Sequence, residues 1–67
     1  MNIELNNSPD QLPGELLTIR EIIQLKNYTF PNLVVKINGQ LVRKPQYDSA
    51  QVREGDFVEI IHLISGG

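Results

Sequence analysis

Leu33-Val34-Val35-Lys36-Ile37-Asn38-Gly39-Gln40-Leu41-Val42-Arg43 is the stretch on which the fold turns. Its first half is rich in β-branched and apolar residues, which predicts a strand over residues 33–38. Asn38-Gly39 is the strongest short hairpin signal, because both central positions of a type I′ turn need positive φ. Residues 40–43 then return as a second strand. Just before this hairpin lies the chain's one helical pattern. Thr18-Ile19-Arg20-Glu21 fits a capping box, in which Thr18 and Glu21 exchange side-chain-to-amide hydrogen bonds. Ile19, Ile22, Ile23 and Lys26 follow helical spacing, and Leu25 widens the apolar face. With Asn27 as a stop and Pro31 barring continuation, one helix of about ten residues is expected.

Further out, Asn2-Ile3-Glu4-Leu5-Asn6 alternates polar and apolar residues with the period of a half-buried strand. Asn6-Asn7-Ser8-Pro9 is turn chemistry, and residues 10–16 are expected to return as a short edge strand broken by Pro13 and Gly14. Residues 44–51 read as irregular, pinned by Pro45 and Tyr47. Glu54-Gly55-Asp56 makes a turn, and Phe57-Val58-Glu59-Ile60-Ile61-His62 is the last strand. A single helix cannot cover both faces of a mixed four- to five-stranded sheet, so the expected class is an α+β roll with the helix across one face. Ile3, Leu5, Leu33, Val35, Ile37, Val58 and Ile60 would meet Ile19, Ile22 and Ile23. By strand alternation Val34, Phe57 and Ile61 point the other way, with Leu63 following on. Together with His62 they form a candidate partner-binding patch.

Sixty-seven residues make one domain, read as residues 1–67 with a flexible tail over 63–67. A domain this small buries only about 60% of the surface its unfolded chain exposes. Its 40% apolar content fills one layer between sheet and helix, without a cofactor pocket besides, so an autonomous enzyme is not expected. The absence of cysteine excludes disulfides, thiolate metal ligands and a thiol nucleophile. No apolar run is long enough for a membrane span and no secretory signal is legible, so the cytosol is the expected compartment. Net charge is −2, and only Arg43 and Lys44 are adjacent among the basic residues, which argues against nucleic acid as a partner.

Side-chain chemistry is sparse. His62, the only histidine, has no nearby acid or nucleophile in sequence to orient it and no second His or Cys to share a metal. Glu54 and Asp56 flank a turn glycine, and turn formation is expected of them, with Asp56 bonding local amides. Ser65 has no base beside it. No GxGxxG or Walker loop occurs. What stands out is the ending, Leu63-Ile64-Ser65-Gly66-Gly67. The two glycines lack Cβ atoms and can thread a channel too narrow for side chains. Fully extended, these five residues reach about 17 Å, enough to carry the Gly67 carboxylate into another protein's active site. A carboxylate reacts only once its oxygen becomes a leaving group, as adenylation by ATP on a partner enzyme achieves. A sulfur donor would then produce a terminal thiocarboxylate, a better nucleophile than the acid.

The segments Val35-Lys36-Ile37-Asn38-Gly39-Gln40-Leu41-Val42 and Glu54-Gly55-Asp56-Phe57-Val58-Glu59-Ile60-Ile61-His62-Leu63-Ile64-Ser65-Gly66-Gly67 resemble the ThiS-type sulfur carriers of thiamine biosynthesis. The resemblance implies a ubiquitin-like β-grasp fold and a protein that is a co-substrate, not an enzyme. It implies adenylation of Gly67 by a ThiF-like adenylyltransferase that uses ATP, with no cofactor bound to the carrier itself. Sulfur from a cysteine desulfurase system would give the thiocarboxylate, which a ThiG-like thiazole synthase would consume. Gly66, Ser65, Ile64 and Leu63 would line the partner's channel, and the free carrier would be a monomer. Family members often carry Pro-Arg and then Trp where this chain has Arg43-Lys44 and then Tyr47. The Ile-Ser-Gly-Gly ending is also close to that of MoaD-type carriers of the molybdenum-cofactor pathway, whereas Glu59-Ile60-Ile61-His62 looks more like the thiamine branch. A plain β-grasp interaction module with an inert tail is the third alternative.

Overall fold

A computed structural model describes residues 1–29 and 31–63. Its main sheet has five strands in the order β2-β1-β7-β4-β5. These are β1 (Asn2–Leu5), β2 (Ser8–Gln11), β4 (Leu33–Ile37), β5 (Gln40–Val42) and β7 (Phe57–His62). The last strand in sequence is the middle strand in space. It runs parallel to β1 and antiparallel to β4.

Two-residue turns set the registers of both outer hairpins. Asn38 and Gly39 adopt φ of 50° and 83°, as the type I′ geometry requires. Asn6 and Asn7, at 53° and 66°, do the same between β1 and β2. This corrects the expected second strand over residues 10–16. The turn is complete after Asn7, so Ser8 and Pro9 already belong to β2, which ends at Gln11. Pro9 is tolerated because Leu5 and Ser8 close the turn, which places the Glu4–Pro9 pair at a position whose nitrogens face away from the ladder.

Helix α1 (Ile19–Leu25) is shorter than expected. Its capping box is present, with the Glu21 amide donating to Thr18 Oγ1 at 3.2 Å and the Thr18 amide to Glu21 Oε1 at 2.8 Å. Asn27 stops it by taking φ of 57°. The Tyr28 amide then donates to the Ile23 carbonyl (3.0 Å) and the Asn27 amide to the Gln24 carbonyl (3.1 Å), a Schellman closure. Seven residues span only about 10 Å, too little to roof five strands.

The remaining cover comes from a second sheet that the sequence does not announce. Strand β3 (Leu16–Thr18) pairs antiparallel with β6 (Gln51–Arg53). Residues 44–51, expected to be irregular, therefore hold a 3₁₀ turn (Lys44–Gln46) and the start of β6. Val52 is fully buried, and Leu12 and Tyr47 join it at 2% and 6% exposure. Every residue expected in the core lies in or against it, with Leu33, Ile37 and Ile23 at its partly buried margin.

The Asn6 side chain extends the β1–β7 ladder beyond the turn. Its Oδ1 accepts from the Ile60 amide at 2.8 Å and its Nδ2 donates to the Ile60 carbonyl at 3.1 Å. Glycine tolerates the same φ, so Asn6→Gly isolates these two bonds. That variant should lose about 1–3 kcal/mol in urea denaturation, with faster amide exchange at Ile60. Unchanged exchange there would show that the amide contributes nothing. Val52→Ala should cost about 2 kcal/mol by lost burial and an unfilled cavity. A cost near zero in the same assay would mean that the β3–β6 pair is not part of the closed core.

Candidate functional site

The approach to the tail is held by the core beneath it and by β4 along one edge. On β7, Val58 and Ile60 point into the core and are buried, at 0% and 5% exposure. On the β4 side the strand is paired continuously from Leu33↔His62 to Ile37↔Val58. Leu63 is the last described residue. Its amide still donates to the Asn32 carbonyl at 3.0 Å, while its side chain is 51% exposed. Ile64, Ser65, Gly66 and Gly67, the rest of the candidate channel-binding and modified residues, lie outside the described residues.

The lower end of β7 is fixed by two side chains that local sequence marks as turn formers. Asn38 Oδ1 accepts from the Phe57 amide at 2.9 Å, and Asn38 Nδ2 donates to Asp56 Oδ1 at 3.1 Å. Asp56 Oδ2 accepts from the Arg53 amide at 2.9 Å. Glu54 Oε1 accepts from the Asn2 amide at 2.8 Å, which ties this turn to β1. Asp56 thus bonds a local amide, as expected of a turn, whereas Glu54 reaches the far end of the sequence at Asn2.

The candidate patch is only partly assembled. Val34 and Ile61 face each other across β4 and β7, and Leu63 continues on the same side by alternation. Phe57 shares that face at the far end of β7. Between Phe57 and Ile61, however, comes Glu59, which stands opposite Lys36. A charged pair of positions therefore divides the apolar surface. His62 alternates to the other side of the sheet, opposite Leu33, so it does not join Ile61. Leu41, 52% exposed, belongs to the patch and was not singled out from sequence. The signal was available: the Asn38-Gly39 turn sets Leu41 opposite Lys36, so the two share a face. The tail-proximal patch is Val34, Leu41, Ile61 and Leu63.

The start of α1 is not an open anion site. The Ile19 amide donates to the Ala50 carbonyl at 3.0 Å and the Arg20 amide to the Tyr47 carbonyl at 2.9 Å, while Thr18 takes the Glu21 amide. Among the described residues no three His, Asp or Glu side chains gather as a metal site. No helix of the described residues is long and apolar enough to cross a membrane. The arrangement offers a modest apolar surface beside the end of β7, the middle strand of the sheet.

The ThiS family model matches residues 3–67. Among solved structures, the chain is similar to the crystal structure of a thiamine biosynthesis protein (ThiS) from Geobacter metallireducens. The TM-score is 0.85 at 30% sequence identity, covering 100% of both chains. It is also similar to an NMR solution structure of a thiamine biosynthesis protein from the same organism. There the TM-score is 0.78 at 30% identity, covering 100% of this chain and 88% of the other. The match extends from the first strand through both terminal glycines on a shared β-grasp fold, and this chain belongs to the ThiS family.

Proposed function

We propose that this chain is a sulfur carrier in thiamine biosynthesis and that its working group is the Gly67 carboxylate. The observation that supports this most directly is the family match running to residue 67, so that it includes both terminal glycines. In this reading a ThiF-like adenylyltransferase takes the tail, and a Gly67 carboxylate oxygen attacks the α-phosphorus of ATP as pyrophosphate leaves. The outer sulfur of a persulfide from a cysteine desulfurase system then displaces AMP to form an acyl disulfide on Gly67. A second thiol of the partner system attacks the other sulfur, forming a disulfide there and releasing –C(O)S⁻ on Gly67. A ThiG-like thiazole synthase consumes that sulfur, and the carrier returns with its carboxylate restored. The chain itself is a co-substrate with no bound cofactor, monomeric between encounters in the cytoplasm.

The body contributes position. Gly66, Ser65, Ile64 and Leu63 enter the partner's channel, while Val34, Leu41 and Ile61 rest on its rim. Because the carrier visits at least two enzymes, each interface is small and short-lived. The thiamine names of both solved relatives support the thiazole branch over the MoaD-type branch.

Deleting the chromosomal copy should create a requirement for supplied thiazole, relieved by the wild-type chain and not by one lacking Gly67. Rescue by the truncated chain would contradict the assignment, and a defect confined to molybdenum enzymes would move it to the other branch. Gly66→Val should keep the wild-type denaturation midpoint yet lower adenylation at least about 100-fold, since misplacing a reacting group by about 1 Å can cost that much. A normal adenylation rate would remove the narrow-channel argument. One residue appended after Gly67 should abolish function. An inert-tailed interaction module would be indifferent to it.

A further inference from the structure

Beside the root of the tail lies an open groove of about 580 Å³, bounded by the end of α1, the 3₁₀ turn and strands β4 and β5. Ile23, Tyr28, Leu33 and Val42 give it an apolar lining, and Leu63 stands at its edge. Its charge is one-sided. Of the chain's six basic residues, Arg20, Arg43 and Lys44 line it, and among the described residues none of the eight acidic ones does. This occurs on a chain of net charge −2.

The three cations are not equivalent. Arg20 is already engaged: its Nε lies 3.0 Å from Asp48 Oδ1, and its guanidinium sits 5.6 Å from the centre of the Tyr47 ring. Arg43 and Lys44 are exposed, and among the described residues neither has an ion-pair partner. Yet the backbone carrying them is stiff. Gln46 Oε1 accepts from the Arg43 amide at 3.0 Å, the Arg43 carbonyl accepts from the Gln46 amide at 2.8 Å, and Tyr47 anchors the turn in the core. Two cations are thus held ready beside apolar surface.

We propose that this groove receives a segment of the adenylating enzyme that presents carboxylates beside an apolar side chain, gripping the carrier next to its tail. The proposal rests on the sulfur-carrier reading and deepens it by giving the chemistry of the partner's contact. An anion alone would leave the apolar lining unused, and an apolar segment alone would strand Arg43 and Lys44 against it. Complementary charge of this kind speeds encounter and weakens with salt.

The test is ATP–pyrophosphate exchange by the cognate adenylating enzyme, with the full-length carrier as the varied substrate. Arg43→Gln/Lys44→Gln should raise the carrier KM about fivefold to tenfold, the sum of two exposed charge contacts. The kcat should be unchanged and the salt dependence of KM flattened. Arg53→Glu changes the net charge by the same two units at a residue outside the groove and should leave KM within about twofold, since an exposed charge away from the contact is largely screened. Matching urea midpoints establish that all three chains are folded. Equal shifts in the two variants, or no shift in either, would overturn the groove proposal while leaving the carrier reading intact. A change in the KM for ATP instead would assign the groove to nucleotide phosphate and overturn it. A change in the sedimentation of the isolated chain would assign it to a second copy, with the same effect. Failure of the wild-type chain to be adenylated at all would sink both proposals.

Discussion

The structure depends on where β7 sits. A strand that ends at the tail could have been an edge strand, free to peel away under load. Here it lies between β1 and β4, with Val58 and Ile60 buried beneath it. The β1 ladder holds the start of β7 and the Asn6 side chain carries it to Ile60, while the β4 ladder continues to His62. Displacing this strand would therefore break hydrogen bonds that are expensive to leave unmade. A carrier asked to place one carboxylate in a partner's site gains from this.

Polar side chains used as backbone surrogates extend that rigidity. Asn6 continues the ladder after β1 has turned away, and Asn38 with Asp56 starts β7 on the other side. The loop over residues 47–50 seals the first turn of α1 with two carbonyls. In a domain with so thin a core, these bonds matter beyond their individual strength, because each one fixes a register that the hydrophobic pattern alone leaves loose. The same economy explains Tyr47. Its ring fills space that the short helix leaves open, its carbonyl caps that helix, and its position fixes the turn that displays Arg43 and Lys44.

Much of this was legible because the decisive signals are local. The Asn38-Gly39 turn, the Thr18–Glu21 capping box and the alternation in β1, β4 and β7 each depend on residues within a few positions of one another, and each was read correctly. The misses share a physical cause. Gln51-Val52-Arg53 is too short to show a period, and its partner Leu16-Leu17-Thr18 is more than thirty positions away, so nothing nearby marks either as a strand. At residues 6–9 the turn-forming chemistry of Ser8 and Pro9 hides the start of β2, since the partner that makes them a strand is β1 on the other side of a two-residue Asn-Asn loop. The division of the apolar patch by Lys36 and Glu59 follows from strand pairing, which the sequence leaves open by whole residues. At the C-terminus the sequence carries the signal: the two glycines are obvious there, and the described residues end at Leu63.

The account stands or falls on the chemical state of the last residue. The most direct measurement is mass spectrometry of native protein from cells making thiamine, on the peptide 54–67 that trypsin releases after Arg53. A fraction of that peptide should carry sulfur in place of one carboxylate oxygen, localised to Gly67. A peptide found only as the plain carboxylate, with any added mass confined to an oxidised Met1, would contradict the central claim.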